Sequence, residues 1–346
     1  MFRMKVEDMR RYCVAVLTHY GASPQNAAIT TEHLVDASLR GLEAHGIFRI
    51  AEYARHMESG AVTGSVDPVV SVKAPGVFQV DGQFGLGQVA MMAAVDAMIE
   101  ALKSQPMAAA TVSRVGHTGR IGYYTEKLAL QNCIASIFGG GGHEKHHSVA
   151  PFGGMRGVMG TNPVAFAVPG LKSMPVSVDF ATATTAGGKL RYARDNNQQL
   201  PEGQVIDKDG NASRSPADYF AGGSILPVAG AKGTGLGIIG ELIGYALLGE
   251  AGEFNWFLQA VRLDCFGDIE RFERKSENFL KKVNRTEPAS GFDRVTYPGQ
   301  REAEEIARTR TTGVAVSRSV YDALVRLSGA TSIQLPSLEE VDNVVY

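Results

Sequence analysis

Several side chains in this sequence have the types and spacing to move a proton and hold an acid. His45 and Arg49 stand four residues apart in Arg40-Gly41-Leu42-Glu43-Ala44-His45-Gly46-Ile47-Phe48-Arg49. A histidine exchanges a proton near neutral pH, and an arginine holds a carboxylate through a two-pronged hydrogen bond. Together they suit acid–base chemistry on a small carboxylic acid. The plainer alternative is that His45 caps a helix C-terminus and Arg49 makes a surface ion pair. His117, in Gly116-His117-Thr118-Gly119-Arg120, ends a predicted strand just ahead of a helix, where a side chain either faces a ligand or caps the helix. Asp179 stands alone in the apolar run Ser177-Val178-Asp179-Phe180-Ala181. A buried acid needs a partner; a histidine is one candidate, and the turn that follows is the other.

Other motifs imitate known sites. Gly85-x-Gly87-x-x-Ala90 follows a predicted strand and opens a helix, as a dinucleotide fingerprint does. That fingerprint also needs an acid at the end of the next strand, where this chain has Ser113-Arg114-Val115-Gly116, so a close-packed helix start is favoured. His143-Glu144-Lys145-His146 is a formal H-E-x-x-H, which binds zinc only when both histidines share a helical face. Gly139 to Gly142 upstream and Pro151 downstream disfavour that helix, and a polar loop near the active site is expected instead. The acids around Asp207 and Asp209 lack the terminal glutamate of an EF-hand. Gly230-Ala231-Lys232-Gly233-Thr234-Gly235 can hold a phosphate at a helix start, but not in the order that ATP chemistry requires.

These residues need a scaffold. Apolar spacing predicts an amphipathic helix over 5–20. Ser23-Pro24 opens a second helix to Arg40, and a third runs over 50–59. Strands are predicted at 69–72, 77–80, 108–115, 134–138, 164–168, 177–180, 255–263 and 314–316. Helices follow at 88–104, in the segment up to 132, and at 236–248. Another at 268–283 should place Ile269, Phe272, Phe279, Leu280 and Val283 inward. A charged helix starts at Arg301, and a last helix is capped by Ser319 and ended by Gly329. The final stretch, 337–346, is either loose or docked on a partner subunit.

The bulk numbers narrow the class. A chain of 346 residues can bury a large core, and it divides here into three lobes: 1–75 with 300–346, a helical substrate and dimer domain; 76–255, a central sheet domain; and 256–299, a strand and helical segment closing the sheet. With 34 Lys+Arg against 36 Asp+Glu, nothing points to nucleic acid. The 40 glycines exceed the usual ~7% and suit a ligand-binding α/β protein with many close backbone approaches. Cys13, Cys133 and Cys265 are odd in number and far apart, which fits a reducing compartment. The apolar run from Gly235 to Gly249 is broken by Glu241 and too short to span a bilayer, and the N-terminus lacks a signal-peptide core. A cytoplasmic protein is expected, with no membrane partner.

The ordered set of motifs resembles the malate/L-lactate dehydrogenase family of the non-Rossmann type. That family includes ureidoglycolate, sulfolactate and diketogulonate dehydrogenases and cyclic imino-acid reductases. The marks are His45-Gly46-x-x-Arg49, Asp81-Gly82-x-x-Gly85-x-Gly87-Gln88, Gly116-His117-x-Gly119, Pro151-Phe152-Gly153-Gly154 and Gly160-Thr161-Asn162-Pro163. Asp179-x-Ala181-Thr182, Leu200-Pro201-Glu202-Gly203, Lys232-Gly233 and Pro298-Gly299-x-Arg301 complete it. The resemblance implies an α/β (α+β-like) fold with a large, mostly antiparallel sheet that binds NAD, or NADP, without a Rossmann fold. It also implies flanking N- and C-terminal helices and a homodimer. The implied reaction is hydride transfer between the nicotinamide and C2 of a 2-hydroxy acid or its 2-keto counterpart.

On that resemblance His45 moves the proton, Asp179 orients it, and Arg49 grips the substrate carboxylate. His117 touches substrate or nicotinamide and is the second acid–base candidate, and Thr161 adds a hydrogen bond. Pro175, Val178, Asp179, Phe180, Ala181, Lys232, Gly299, Gln300 and Arg301 match cofactor-holding positions, joined by Gly119 and Arg120. No metal site is implied. Ala44 stands where many relatives carry a serine, and the 139–147 loop is longer than the family's. An imino-acid reductase on the same scaffold, an inactive small-molecule binding homologue and a zinc hydrolase are the rival expectations.

Overall fold

Local signals set the N-terminal helices in the computed structural model, which describes residues 1–171 and 174–341. Val6–His19 buries Met9, Tyr12, Cys13, Val16 and Leu17 along one stripe, the spacing of an amphipathic helix. Pro24–Leu39 starts on Ser23, whose Oγ accepts from Asn26 N at 3.2 Å, with Pro24 in the first turn. Ile50–Glu58 follows and turns Tyr53 and Met57 inward. These helices share one apolar core with the strand Phe2–Met4 and the helix Arg318–Thr331.

A seven-stranded sheet forms the centre. In spatial order its strands are Val69–Ala74, Val77–Gly85, Met107–Val115, Asn255–Arg262, Cys133–Gly140, Val164–Val168 and Val176–Phe180. Every neighbouring pair is antiparallel except Val77–Gly85 with Met107–Val115. That pair is parallel because the helix Gly87–Leu102 carries the chain back between them. The expected α/β architecture with a large, mostly antiparallel sheet is therefore the observed one. Asn255–Arg262, expected to close the sheet, lies in its middle, with ladder partners on both sides. An apolar run identifies a buried strand, but does not say which of its neighbours it will separate.

The helices Gly87–Leu102 and Gly122–Ala129 cover one face of the sheet. Met91, Val95, Met98, Tyr124 and Leu128 pack there against Val80, Val112, Ile137 and Leu258. A smaller core around Val149, Leu190, Val205 and Ile225 supports a three-stranded sheet of Ala212–Ser213, Val205–Ile206 and Ser224–Ile225. The helix Ile269–Asn284 corrects an expectation. Of the five residues predicted to face inward only Leu280 is buried, and Phe279 is 64% exposed. Its apolar stripe is real, but its own chain leaves most of it uncovered. The last helix is capped by Ser317 rather than Ser319 and runs past Gly329 to Thr331. Glu339–Glu340 pairs with Phe2 and Arg3, while residues 342–346 of the expected loose or docked tail lie outside the described residues. Among the described residues no helix is long and apolar enough to cross a membrane.

Candidate active site

Three chain segments bring the acid–base residues together. His45 ends the short 3-10 turn Glu43–His45, which leaves the long helix Pro24–Leu39; Arg49 ends the next turn, Ile47–Arg49. His117 lies just past the strand Met107–Val115. The rings of His45 and His117 lie nearly parallel, with centroids 6.0 Å apart and 7° between planes.

Gly119 shapes the turn that presents His117. It takes φ +74°, and a Cβ there would fall 2.1 Å from the His33 ring, so both conformation and space demand glycine. His33 is fully buried, and its Nε2 donates to the Arg120 carbonyl at 3.0 Å. The upstream glycines of the false fingerprint serve packing: a Cβ on Gly87 would lie 2.4 Å from Gly116 O and 2.6 Å from His117 O. Helix Gly87–Leu102 thus begins against the His117 turn, with no room for a phosphate at that point.

The tautomer of His117 follows from its neighbours. Gly119 N–H, which can only donate, reaches His117 Nδ1 at 3.2 Å. Nδ1 is therefore an acceptor, and the neutral ring carries its proton on Nε2. Tyr53 Oη lies 2.8 Å from the same Nδ1 and accepts from Gln88 Nε2 at 2.7 Å. Tyr53 and Gln88 are both buried. Burial, followed by the Arg49 charge and the neighbouring histidines, holds His117 well below the usual histidine range. Burial also lowers His45 to about 4, helped by Arg49, His33, Arg120 and Lys189. Two neutral imidazoles therefore stand side by side at pH 7. Among the described residues, His45 Nδ1 is buried with no hydrogen-bond partner.

Arg49 combines both of its expected fates. Its Nε donates to Ala44 O at 2.7 Å and its Nη1 pairs with Glu52 at 2.6 Å. Nη2 has no partner among the described residues and remains available to a carboxylate.

Two sequence expectations need correction. Asp179 does not bond His45: its Oδ2 accepts from Gly122 N at 2.7 Å, at the start of the helix Gly122–Ala129. Neither expected partner is the observed one, because the capped helix lies 57 residues earlier in the chain and not in the turn that follows Asp179; desolvation of the carboxyl raises it above the usual range. Arg120 does not present its guanidinium to a ligand. Nη1 and Nη2 clasp Glu126 at 2.9 and 3.0 Å, and Nη2 also meets Asp36 at 2.9 Å. Arg40 joins Glu126 at 2.8 Å, and Ser177 Oγ donates to it at 2.6 Å. This buried network ties the helix that delivers His45 to the edge strand Val176–Phe180. Spacing cannot reveal it, because its members lie 51 and 84 residues apart.

The cofactor candidates converge along that edge strand. Gly299 has φ +89°, and a Cβ on it would lie 3.0 Å from Pro175 O, which sets Gly299, Gln300 and Arg301 beside the start of the strand. Val178 pairs with Phe166 inside the ladder, Phe180 is 38% exposed, and Ala181 packs on the small core. Beyond them, a Cβ on Gly233 would lie 2.8 Å from Thr182 O, so Lys232 stands at the far end. Lys232 is exposed in the first turn of Ala231–Glu241, and its side chain has no ion pair or hydrogen bond among the described residues. Arg301 is exposed, while Gln300 Nε2 donates to Glu304 at 3.2 Å. Thr161 O accepts from Thr182 N and Oγ1 at 2.9 and 3.1 Å, pinning that corner. The strand from Pro175 to Thr182 spans about 23 Å at ~3.3 Å per residue. A glycine-made approach at one end and an unpaired lysine at the other fit an extended anionic dinucleotide.

The H-E-x-x-H residues form a turn, not a helix. His143 Nδ1 donates to Glu241 at 2.9 Å, and Glu241 also accepts from Gly141 N and Gly160 N. Glu144, His146 and His147 are exposed. Sequence reasoning missed Gln88 and Glu253 at the site, and Tyr53 appeared only as a helix residue. The signal for Gln88 was its place in the Gly-rich motif; nothing local marked the others. A groove of about 960 Å³ between Arg3, Lys5, Arg310 and Glu339 lies apart from all of these side chains.

Known proteins resemble this chain over nearly all of its length. The sequence profile of the Malate/L-lactate dehydrogenase family matches residues 4–325. L-sulfolactate dehydrogenase of Methanocaldococcus jannaschii is 31% identical over 96% of this chain and 98% of its own. A ureidoglycolate dehydrogenase (NAD(+)) of Escherichia coli O157:H7 is 29% identical over 89% of this chain and 91% of its own. A Delta(1)-pyrroline-2-carboxylate/Delta(1)-piperideine-2-carboxylate reductase of Pseudomonas putida is 28% identical over 94% and 97%. Among solved structures, malate dehydrogenase from Entamoeba histolytica superposes with a TM-score of 0.90 at 22% identity, covering 97% of this chain and all of that one. The M. jannaschii sulfolactate dehydrogenase superposes at 0.85 with 28% identity, over 97% and 98%.

Proposed function

The chain belongs to the malate/L-lactate dehydrogenase family, and from that premise we propose how its own residues carry out hydride exchange between NAD and C2 of a small 2-hydroxy or 2-keto acid. The observation that carries the reading is the parallel pair of neutral imidazoles beside an arginine with one free Nη. Arg49 Nη2 holds the substrate carboxylate. His45 takes the hydroxyl proton on a ring nitrogen during oxidation and returns it during reduction. His117, fixed as the Nε2–H tautomer, donates a hydrogen bond to the same oxygen as it gains negative charge. When bound, the nicotinamide supplies or accepts the hydride. Pro175 to Ala181, with Gly299, Gln300 and Arg301, line its path, and Lys232 meets a phosphate.

In this reading Asp179 acts at one remove. It holds the start of the helix Gly122–Ala129, and so the turn from which His117 projects. Arg120 likewise fixes the frame through Glu126 and Asp36. Thr161 sets the corner between the substrate and cofactor sides. The working unit is a homodimer; the uncovered stripe of Ile269–Asn284 supports this. Three free cysteines support a reducing, cytoplasmic setting. NADP is an alternative cofactor, and a cyclic imino acid an alternative substrate.

Oxidation of NADH and of NADPH against a panel of 2-keto acids and cyclic imines tests the reading. His45→Ala is expected to abolish turnover while NADH fluorescence titration still shows binding. Undiminished turnover in that variant would move the proton role to His117.

A further inference from the structure

We propose that Glu253 reads the end of the substrate remote from its carboxylate. It favours 2-keto or 2-hydroxy acids with a hydrogen-bond donor at that end over those with a second acid group. The inference rests on the proposed hydride-transfer site and names its substrate class.

Position comes first. Glu253 precedes the strand Asn255–Arg262, which runs antiparallel to Met107–Val115. The chain ahead of Asn255 therefore passes the end of the sheet from which His117 projects. A Cβ on Gly252 would lie 3.6 Å from Val115 O. On the other side, a Cβ on Gly142 would lie 2.0 Å from Glu253 O, so the two backbones touch. Glu253 thus sits between the His117 turn and the 139–147 loop.

Its carboxyl lies within electrostatic reach of Arg49. The Glu253 carboxyl interacts electrostatically with Arg49 and Glu52, and Tyr53 feels its charge. The nearby carboxylates have partners: Glu52 pairs with Arg49, and Glu241 accepts from Gly141 N, Gly160 N and His143. The Glu253 carboxyl has neither a hydrogen bond nor an ion pair among the described residues, and the residue is half-buried. Burial raises it to about 7, so it titrates near neutrality. A half-buried carboxyl without a partner is poorly solvated, and a donor on the ligand relieves that cost in both protonation states.

The same placement penalises a second acid. Arg49 is committed to the C1 carboxylate, and a further anion facing Glu253 meets like charge. Malate and sulfolactate each carry such a group. A hydroxyl, amide or ureido nitrogen at that end instead meets an acceptor, and a site built around a hydrogen bond discriminates strongly against ligands that cannot make it.

The test uses the full-length enzyme and compares kcat/KM for hydroxypyruvate, oxaloacetate and 2-oxobutanoate in wild type, Glu253→Gln and Glu253→Ala. Wild type is expected to prefer hydroxypyruvate to oxaloacetate by about tenfold or more. In Glu253→Ala the hydroxypyruvate to 2-oxobutanoate ratio falls by about tenfold, and in the near-isosteric Glu253→Gln the oxaloacetate to hydroxypyruvate ratio rises by about as much. Matching melting temperatures establish that the variants fold. A wild type that prefers oxaloacetate, or variants whose three values all fall by one factor, overturns the role of Glu253 and leaves the hydride-transfer site intact. No turnover of any keto acid with either nucleotide overturns both.

Discussion

Tyr53→Phe removes one oxygen from the centre of the site, and the surrounding geometry sets the size of the effect. That oxygen lies 2.8 Å from His117 Nδ1 and 2.7 Å from Gln88 Nε2, with Tyr53 3% exposed and Gln88 0%. Without it the Gln88 amide is left buried and unpaired, which costs about 1–3 kcal/mol of folding stability. His117 keeps only the Gly119 N–H at 3.2 Å to hold its ring. A misplacement of about 1 Å in a reacting group costs about 100-fold in rate, so kcat is expected to fall by about 10- to 100-fold. The double variant Tyr53→Phe with Gln88→Leu separates the two effects. Removing both polar partners leaves neither unsatisfied, so stability recovers much of the loss, while His117 stays loose and kcat stays low. Urea unfolding, followed through the single buried Trp256, measures the first quantity. Steady-state kinetics measure the second. Wild-type kcat in Tyr53→Phe, or recovery of kcat together with stability in the double variant, refutes the reasoning.

Acid should destabilise the fold through His33. Burial lowers its pKa to about 4 against 6.5 in the unfolded chain, so between these values the unfolded state binds the extra proton. Its stabilising contribution is complete above pH 6.5 and is lost as pH falls towards 4, an effect of about 3 kcal/mol. Urea midpoints measured from pH 7 to pH 4 should show this slope, and His33→Phe should flatten it by about one proton; an unchanged slope in that variant would exclude His33 as the source. Gly119→Ala places a Cβ 2.1 Å from His33 at φ +74°, so thermal unfolding should show a loss of at least about 2 kcal/mol, with reduced turnover because His117 is two residues away. A variant as stable and active as wild type would mean that this turn relaxes freely.

The sequence by itself determined the parts whose physics is local. The stripe from Met9 to Leu17 and the Ser23-Pro24 start specify their helices, because the partners lie one turn apart on the same element. Apolar runs marked all seven strands of the main sheet. The false fingerprint at Gly85 and Gly87 was legible as close packing from the missing acid at Val115. His45, Arg49 and His117 were legible as chemically able residues.

Only the tertiary structure decided what each of them does. The strand Asn255–Arg262 is placed in the sheet by pairing with segments more than a hundred residues away in the chain. Asp179 had an imidazole and the turn that follows it as expected partners, and the fold chose neither but Gly122 N, 57 residues earlier in the chain. Arg120 was expected at the cofactor, but the helix Gly122–Ala129 brings Glu126 to it. Tyr53 reaches the His117 ring across 64 residues of sequence, and Gln88 holds Tyr53 across 35. A residue type says whether a side chain can carry a proton or a charge. Which way it points, and whether its charge is already met, depends on desolvation and hydrogen bonding among groups that only the folded chain brings together.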